Sequence, residues 1–284
     1  MSSNVPAAGP DLLSYVYAVG RTVPELEDAA SRLTGHGGAA MRTVGADGLT
    51  AVVCSVPAVE FDEAGLKAQL EDLSRLEAIA RSHHAVVGAL VERTAVLPLR
   101  LATVYRDDAR VAGMLQESRD AFAATLERLE GHVEWGVKVY AEPVEPRTET
   151  AAPASAPTNG SEAESRVSPG RAYLQRRRAQ RSSRKDAYRA AGEAANRVAA
   201  VAASFAAGRV AHRPQQGALA EGAGENIAND AYLVPLERSE EFRAAVAEEG
   251  RTLSGARVDV TGPWAPYSFA TPVDGGGAGD GHVR

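Results

Sequence analysis

Residues 12–35 read LLSYVYAVGRTVPELEDAASRLTG, and the spacing of the apolar positions changes partway along. Leu12–Val19 is dense in Leu, Val and Tyr and reads as a β-strand. From Arg21 the pattern becomes helical. Leu26, Ala29, Ala30 and Leu33 fall on one face, Pro24 suits a first turn, and Gly35 suits a stop. Thr22 and Glu25 have the spacing of a capping box. Two further strands, MRTV (41–44) and GLTAVVCSV (48–56), flank the turn-forming GADG (45–48), which predicts a hairpin. The opening unit is therefore strand, helix, strand, strand.

The same alternation continues along the chain. A helical period covers 61–93 through Leu66, Leu70, Leu73, Leu76, Ala80, Val87 and Val91. AVLPLRLATVY (95–105) is extended, with Pro98 favouring a sheet edge. A helix over about 109–130 precedes the strand HVEWGVKVYAE (132–142). Pro, Ala, Ser, Thr, Glu and Gly then dominate 143–170, which reads as a disordered insertion. A long helix is expected over about 171–211, and ENIANDAYLVPLE (225–237) reads as a strand. A short helix opening at Ser239 and a strand within ARVDVTGPWAPYSF (256–269) complete the pattern. Irregular alternation with hairpins predicts an α+β fold with antiparallel sheets, most naturally two ferredoxin-like domains. We place their bounds at 12–131 and 132–272, between a disordered 1–11 and a flexible Gly-rich tail at 273–284.

Composition narrows the function classes. Apolar residues make up 44% of the 284 and the formal charge is −6, enough for folded domains and uninformative about partners. Cys54 is the only cysteine, which excludes an internal disulfide or a cysteine-based zinc site. It lies in the apolar run TAVVCSV, where a small core residue is expected. The N-terminus lacks a signal-peptide pattern and no stretch is apolar enough to span a bilayer, so the expected location is cytoplasmic.

No motif of catalysis appears. His83 and His84 are adjacent on a helix and point about 100° apart, so they cannot grip one metal as an i, i+4 pair would. Satisfied or surface histidines are expected. There is no nucleophile elbow, no glycine-rich dinucleotide turn and no phosphate loop. The chain reads as a non-enzyme without cofactor or metal. RAYLQRRRAQRSSRK (171–185) carries seven basic residues and no acid. Arg176, Arg177, Arg178, Arg181 and Arg184 cover most of the helix circumference, which suits an acidic protein surface. The alternative is a ferredoxin-like nucleic-acid-binding or regulatory module acting through this helix. The later part of the helix has a seam of small residues, Tyr188-Ala191-Ala195-Val198-Ala202-Phe205.

Seven segments in order resemble the gas vesicle protein F/L (GvpF/GvpL) family: YVYAVG, GLTAVVCSV, AVLPLRLATVY, EWGVKVYA, GRAYLQRR, NDAYLVP and the closing TGPWAPYSF. One departure is Leu101-Ala102, where an aromatic-glycine pair is expected. The resemblance implies two modified ferredoxin-like domains and an accessory structural role in gas vesicle organization. It also implies binding of the small shell protein, without catalysis, cofactor, small-molecule substrate or membrane. In TGPWAPYSF two prolines hold the chain extended and fix three aromatics, Trp264, Tyr267 and Phe269. We expect a strap over the core of the second domain, with the aromatics as candidate anchors for another gas vesicle protein.

Overall fold

The structure is a computed structural model that describes residues 11–142, 169–214 and 224–271. The first strand, β1 (Leu12–Arg21), is followed by α1 (Pro24–Ser31), β2 (Met41–Ala46) and β3 (Leu49–Pro57). Next come α2 (Ala58–Phe61), α3 (Glu63–Glu71), α4 (Leu73–Val91), β4 (Val96–Pro98) and β5 (Val104–Tyr105). They are followed by α5 (Asp108–Glu117), α6 (Arg119–Leu129) and β6 (His132–Ala141). The remaining elements are α7 (Pro169–Ala203), β7 (Gly208–His212), β8 (Glu225–Pro235), α8 (Ser239–Thr252) and β9 (Ala256–Trp264).

Contacts divide these residues into two units. Of the described residues, one unit holds those up to Trp135, Leu233–Glu237 and those from Gly262 to Thr271; the other holds those within 136–232 and Arg238–Thr261. The division is discontinuous, unlike the expected 12–131 and 132–272, because the chain after Thr261 contributes to the first core. The composition-biased 143–168, like 1–10 and 272–284, lies outside the described residues. Pro169 and Gly170, the last two residues of the expected insertion, belong to α7.

In the first unit the sheet order is β2-β3-β1-β4, with β5 also beside β1, and all pairs are antiparallel. The β2–β3 hairpin closes at Asp47 (φ 49°) and Gly48 (φ 79°), two successive positive-φ residues. That matches the sequence expectation, because Asp-Gly tolerates the left-handed conformation such turns require. Strand β1 is central, so Tyr15 through Val19 are all buried. Its side chains, with Val52, Cys54 and Val56 of β3, join Ile79, Val86, Val87 and Leu90 of α4 in one core. Helices α5 and α6 add the buried Val111, Leu115 and Leu126. Each such aliphatic side chain contributes roughly 1.5–3 kcal/mol by leaving water. Cys54 is buried here, as expected of a core thiol.

Several local expectations give way to side-chain chemistry. The helical run over 61–93 is broken twice, because Asp62 and Asp72 adopt extended backbone and turn their carboxylates onto helix N-termini. Asp62 accepts from Gly65 N at 2.7 Å, and Asp72 from Ser74 N and Arg75 N at 3.0 and 3.2 Å. The run over 109–130 breaks at Ser118. The capping box at Thr22 does not form: Val23 occupies the cap of α1, and the Thr22 hydroxyl bonds Thr50 Oγ1 at 2.8 Å instead. Pro98 pairs with Ala18 on the short edge strand β4, the position its missing N–H favours.

In the second unit the sheet order is β7-β8-β6-β9. Helix α7 stops at Ala203 rather than near 211, and Gly208–His212 is a strand. Tertiary contacts outweigh helix propensity there. Phe205 meets Phe242 edge-on at 6.3 Å and lies under the Arg238 guanidinium, 4.6 Å away, while Arg209 reaches Asp230 of β8 at 3.0 Å. The buried stripe of α7 is Ala187-Ala191-Ala194-Val198-Ala202. It shares Ala191, Val198 and Ala202 with the expected seam, and Tyr188, Ala195 and Phe205 lie half-buried. The stripe packs on α8, where Arg197 pairs with Glu249 at 2.6 Å.

Candidate functional site

The residues that single themselves out in the sequence fall in two places, the segment after β9 and the start of α7. At the end of β9, Gly262 (φ 140°) lies against Trp135: a Cβ there would stand 2.9 Å from the Trp135 ring and 3.0 Å from Glu134 O. Only glycine allows that crossing. Pro263 and Pro266 then keep the chain out of regular helix until the short 3-10 turn Tyr267–Phe269.

This strap closes the core of the first unit, not that of the second, which corrects the sequence expectation. Ala265 and Phe269 are buried, and Tyr267 packs on the core cluster around Tyr15. Three polar contacts buckle it down. Glu134 accepts from both Ser268 N and Ser268 Oγ at 2.7 Å, and Arg128 donates to Phe269 O at 2.7 Å. Phe269 is thus buried, and Tyr267 is half-buried against this core. Trp264 differs. Its ring rests on His84 at 5.1 Å yet stays 41% exposed.

Beneath the strap lies a hydrogen-bonded aromatic network. His83 Nε2 is 3.2 Å from Leu99 O, a carbonyl that can only accept, so this nitrogen carries the proton. Nδ1 then accepts from the Tyr15 hydroxyl at 2.9 Å, whose oxygen accepts the Ala102 N–H at 3.1 Å. Burial pushes His83 down to about 4, the main cause being loss of hydration of the charged ring. Burial raises the Tyr15 and Tyr17 phenols for the same reason. Tyr17 accepts from His36 N at 2.8 Å and touches Cys54 Sγ at 3.4 Å. His83 is therefore a satisfied core histidine, as the adjacent-pair argument expects. The Tyr267 hydroxyl is also buried, but it finds no hydrogen-bond partner among the described residues.

Sequence reasoning missed one polar cluster. Arg42 of β2 forks onto Asp108 at 2.8 and 2.6 Å and reaches Ser55 at 3.0 Å and Ser14 at 3.1 Å; Ser14 also donates to Asp108 at 2.6 Å. The Arg42 hydrogen bond holds the Asp108 carboxyl below its ordinary range. These side chains line an open hollow of about 420 Å³. Every member is engaged with another, so the cluster cross-links three strands to the N-terminus of α5, where a carboxylate is also favoured by the helix dipole. Residues 14, 42, 55 and 108 form no spacing motif, which is why the sequence conceals them.

Among the described residues, Arg177, Arg178, Arg181 and Lys185 at the basic start of α7 have no such ion pair. Arg177, Arg178, Arg181 and Lys185 are exposed along one continuous helix that also bears Arg176 and Arg184. Among the described residues no group of three His, Cys, Asp or Glu could hold a metal, and no helix is long and apolar enough to cross a membrane. The geometry presents a half-exposed tryptophan held on a buckled strap and, among the described residues, a run of exposed cations along α7.

Known proteins identify the class. Residues 13–271 match the family model described as "Gas vesicle synthesis protein GvpL/GvpF". Gas vesicle protein L of Streptomyces sp. (strain CB03234) is 44% identical over 260 residues, covering 92% of this chain and 93% of that protein. Gas vesicle protein F2 of Halobacterium salinarum is 25% identical over 267 residues, covering 90% and 92%. The crystal structure of GvpF from Anabaena sp. PCC7120 shares the fold, with a TM-score of 0.63 at 17% identity over 94% of this chain and all of that one. GvpF from Microcystis aeruginosa does so with a TM-score of 0.61 at 15% identity, over 91% and 99%. The chain belongs to the GvpL/GvpF family of gas vesicle proteins.

Proposed function

We propose that this protein is a non-enzymatic accessory component of the gas vesicle that binds the small shell protein and supports nucleation or formation of the vesicle. The observation that carries this reading is the 44% identity to a gas vesicle protein L across nearly the full length of both chains. The site chemistry supports it, since the polar clusters described are satisfied internally and the distinctive surfaces suit protein contact. We read both units as modified ferredoxin-like domains. The support is their shared element order, a split βαβ followed by αβ, and their equivalent strand orders β2-β3-β1-β4 and β7-β8-β6-β9. Its place of action is the gas vesicle in the cytoplasm.

Two surfaces are assigned to partners in this reading. Trp264, rigidly presented beside His84, is the apolar anchor for the shell protein. Arg176, Arg177, Arg178, Arg181 and Arg184 meet an acidic surface of a gas vesicle protein, and replacing all five with Gln should preserve folding while weakening co-purification. Co-expression with the small shell protein tests the whole reading. Soluble shell protein should co-purify with this chain, and much less with the Trp264→Ala variant. If the shell protein aggregates equally with and without this chain, and none co-purifies, the reading fails.

A further inference from the structure

Helix α7 runs 18 residues, Pro169 to Asp186, before its first described buried side chain, Ala187. That is about 27 Å of helix. Leu174, Arg177, Arg178, Arg181 and Lys185 are exposed along it. No ion pair among the described residues engages these four cations. Arg177 and Arg181, Arg178 and Arg181, and Arg181 and Lys185 stand three or four positions apart, where like charges repel on a helix. Such an arm is stabilised by anions laid along it, so the question is what supplies them.

The chain itself does. Between Arg171 and Lys185 there are seven bases and no acid, while the whole chain carries −6; the remainder therefore carries −13. Not all of those acids are free. On α8, Glu240, Glu241, Glu248 and Glu249 pair with Arg243, Arg238, Arg251 and Arg197. In the first unit, Glu60, Asp62, Glu63 and Glu71 are exposed and have no ion pair among the described residues. The segment also displays the two most exposed large apolar side chains described, Val59 at 78% and Leu73 at 79%. It is compact, since the Gln69 amide donates to Glu60 O and a Cβ on Gly65 would run into Val59 O. The arm offers the matching pattern, four cations with the exposed Leu174.

We propose that the cationic arm of one copy docks on the α2–α4 face of a second copy, cations against Glu60, Asp62, Glu63 and Glu71, and Leu174 against Val59 and Leu73. This narrows the acidic partner of the arm, as read above, to the protein itself, and it rests on the arm being a contact surface. Because arm and face are different surfaces, the contact is heterologous. Each added copy brings a free arm or a free face, so growth is head-to-tail unless the geometry closes a ring. A self-extending row would display Trp264 at regular intervals, which suits a protein that organises many small subunits.

Sedimentation velocity of the nuclease-treated full chain, alone, tests this without any shell protein, so its failure is separable from failure of shell binding. At about 0.1 M salt the average mass should exceed the monomer and rise with concentration; at about 1 M, where the screening length falls to about 3 Å, it should return to the monomer. An arm variant (Arg177→Gln, Arg178→Gln, Arg181→Gln, Lys185→Gln) and a face variant (Glu60→Gln, Glu63→Gln, Glu71→Gln) should each stay monomeric with an unchanged circular dichroism spectrum. The face variant spares the cap Asp62. Mixed one to one, they should form a heterodimer and nothing larger, because together they retain one intact arm and one intact face. A wild type that is monomeric at low salt overturns the proposal, as does a mixture that fails to associate. Association that disappears on nuclease treatment also overturns it and makes nucleic acid the ligand of the arm.

Discussion

The same substitution, Tyr→Phe, should have opposite signs at two tyrosines that share one core. At Tyr267 the hydroxyl is buried and has no partner among the described residues. Burying an unpaired hydroxyl costs about 1–3 kcal/mol, so Tyr267→Phe should stabilise the protein by roughly 1 kcal/mol while keeping the ring contacts with His83 and His84. At Tyr15 the hydroxyl joins His83 Nδ1 (2.9 Å) to the Ala102 N–H (3.1 Å). Tyr15→Phe deletes two hydrogen bonds and strands the buried His83 Nδ1 and the part-buried Ala102 N–H. At about 1 kcal/mol for each bond plus the desolvation of the orphans, the loss is roughly 2–4 kcal/mol. Urea unfolding followed by Trp135 and Trp264 fluorescence measures both, and an unchanged denaturant slope would assign the shift to stability. A Tyr267→Phe variant destabilised by more than about 1 kcal/mol would show that the hydroxyl is bonded in solution. A neutral Tyr15→Phe would refute the network itself.

Further outcomes follow from the same geometry. His83 falls to about 4 in the fold from its ordinary 6.5. The unfolded chain therefore binds more protons between these values, and about 3 kcal/mol of stability present above pH 6.5 is lost as the pH drops toward 4. Urea midpoints measured across that window should lose most of this slope in His83→Asn. Asp108, also lowered, contributes stability that disappears only below its ordinary carboxyl value of 3.8. Ala102 holds φ 61°, a left-handed conformation that costs a residue with a Cβ about 1–2 kcal/mol. Thermal unfolding should place Ala102→Gly above the wild type by up to about 1 kcal/mol, since the added freedom of the unfolded glycine returns part of that gain. Trp264→Ala should cost less than the 3–5 kcal/mol of a buried aromatic, about 1–2 kcal/mol, because 41% of the residue is already in solvent.

Some of this protein was legible without coordinates because the responsible interactions are local. The Asp47-Gly48 turn depends on two residues' φ angles, and the strand and helix periods depend on which neighbours i+2, i+3 and i+4 share a face. The extended shape of the strap likewise follows from Pro263 and Pro266 alone. Where the strap goes is another matter. Its docking partners Arg128, Glu134, His83 and His84 lie more than a hundred residues earlier, and an apolar period records that a face is buried without recording against what. The same limit hid the Arg42–Asp108 fork, the displacement of Thr22 onto Thr50 and the end of α7 at Ala203, just before Phe205. In each, a hydrogen bond or ring contact to a distant strand or helix outweighed a local preference of about 1 kcal/mol or less. Ala102 shows the strongest case. Its own φ preference argues against the conformation it adopts, and the Tyr15 hydroxyl that takes its N–H, 87 residues away in the chain, is supplied only by the assembled core.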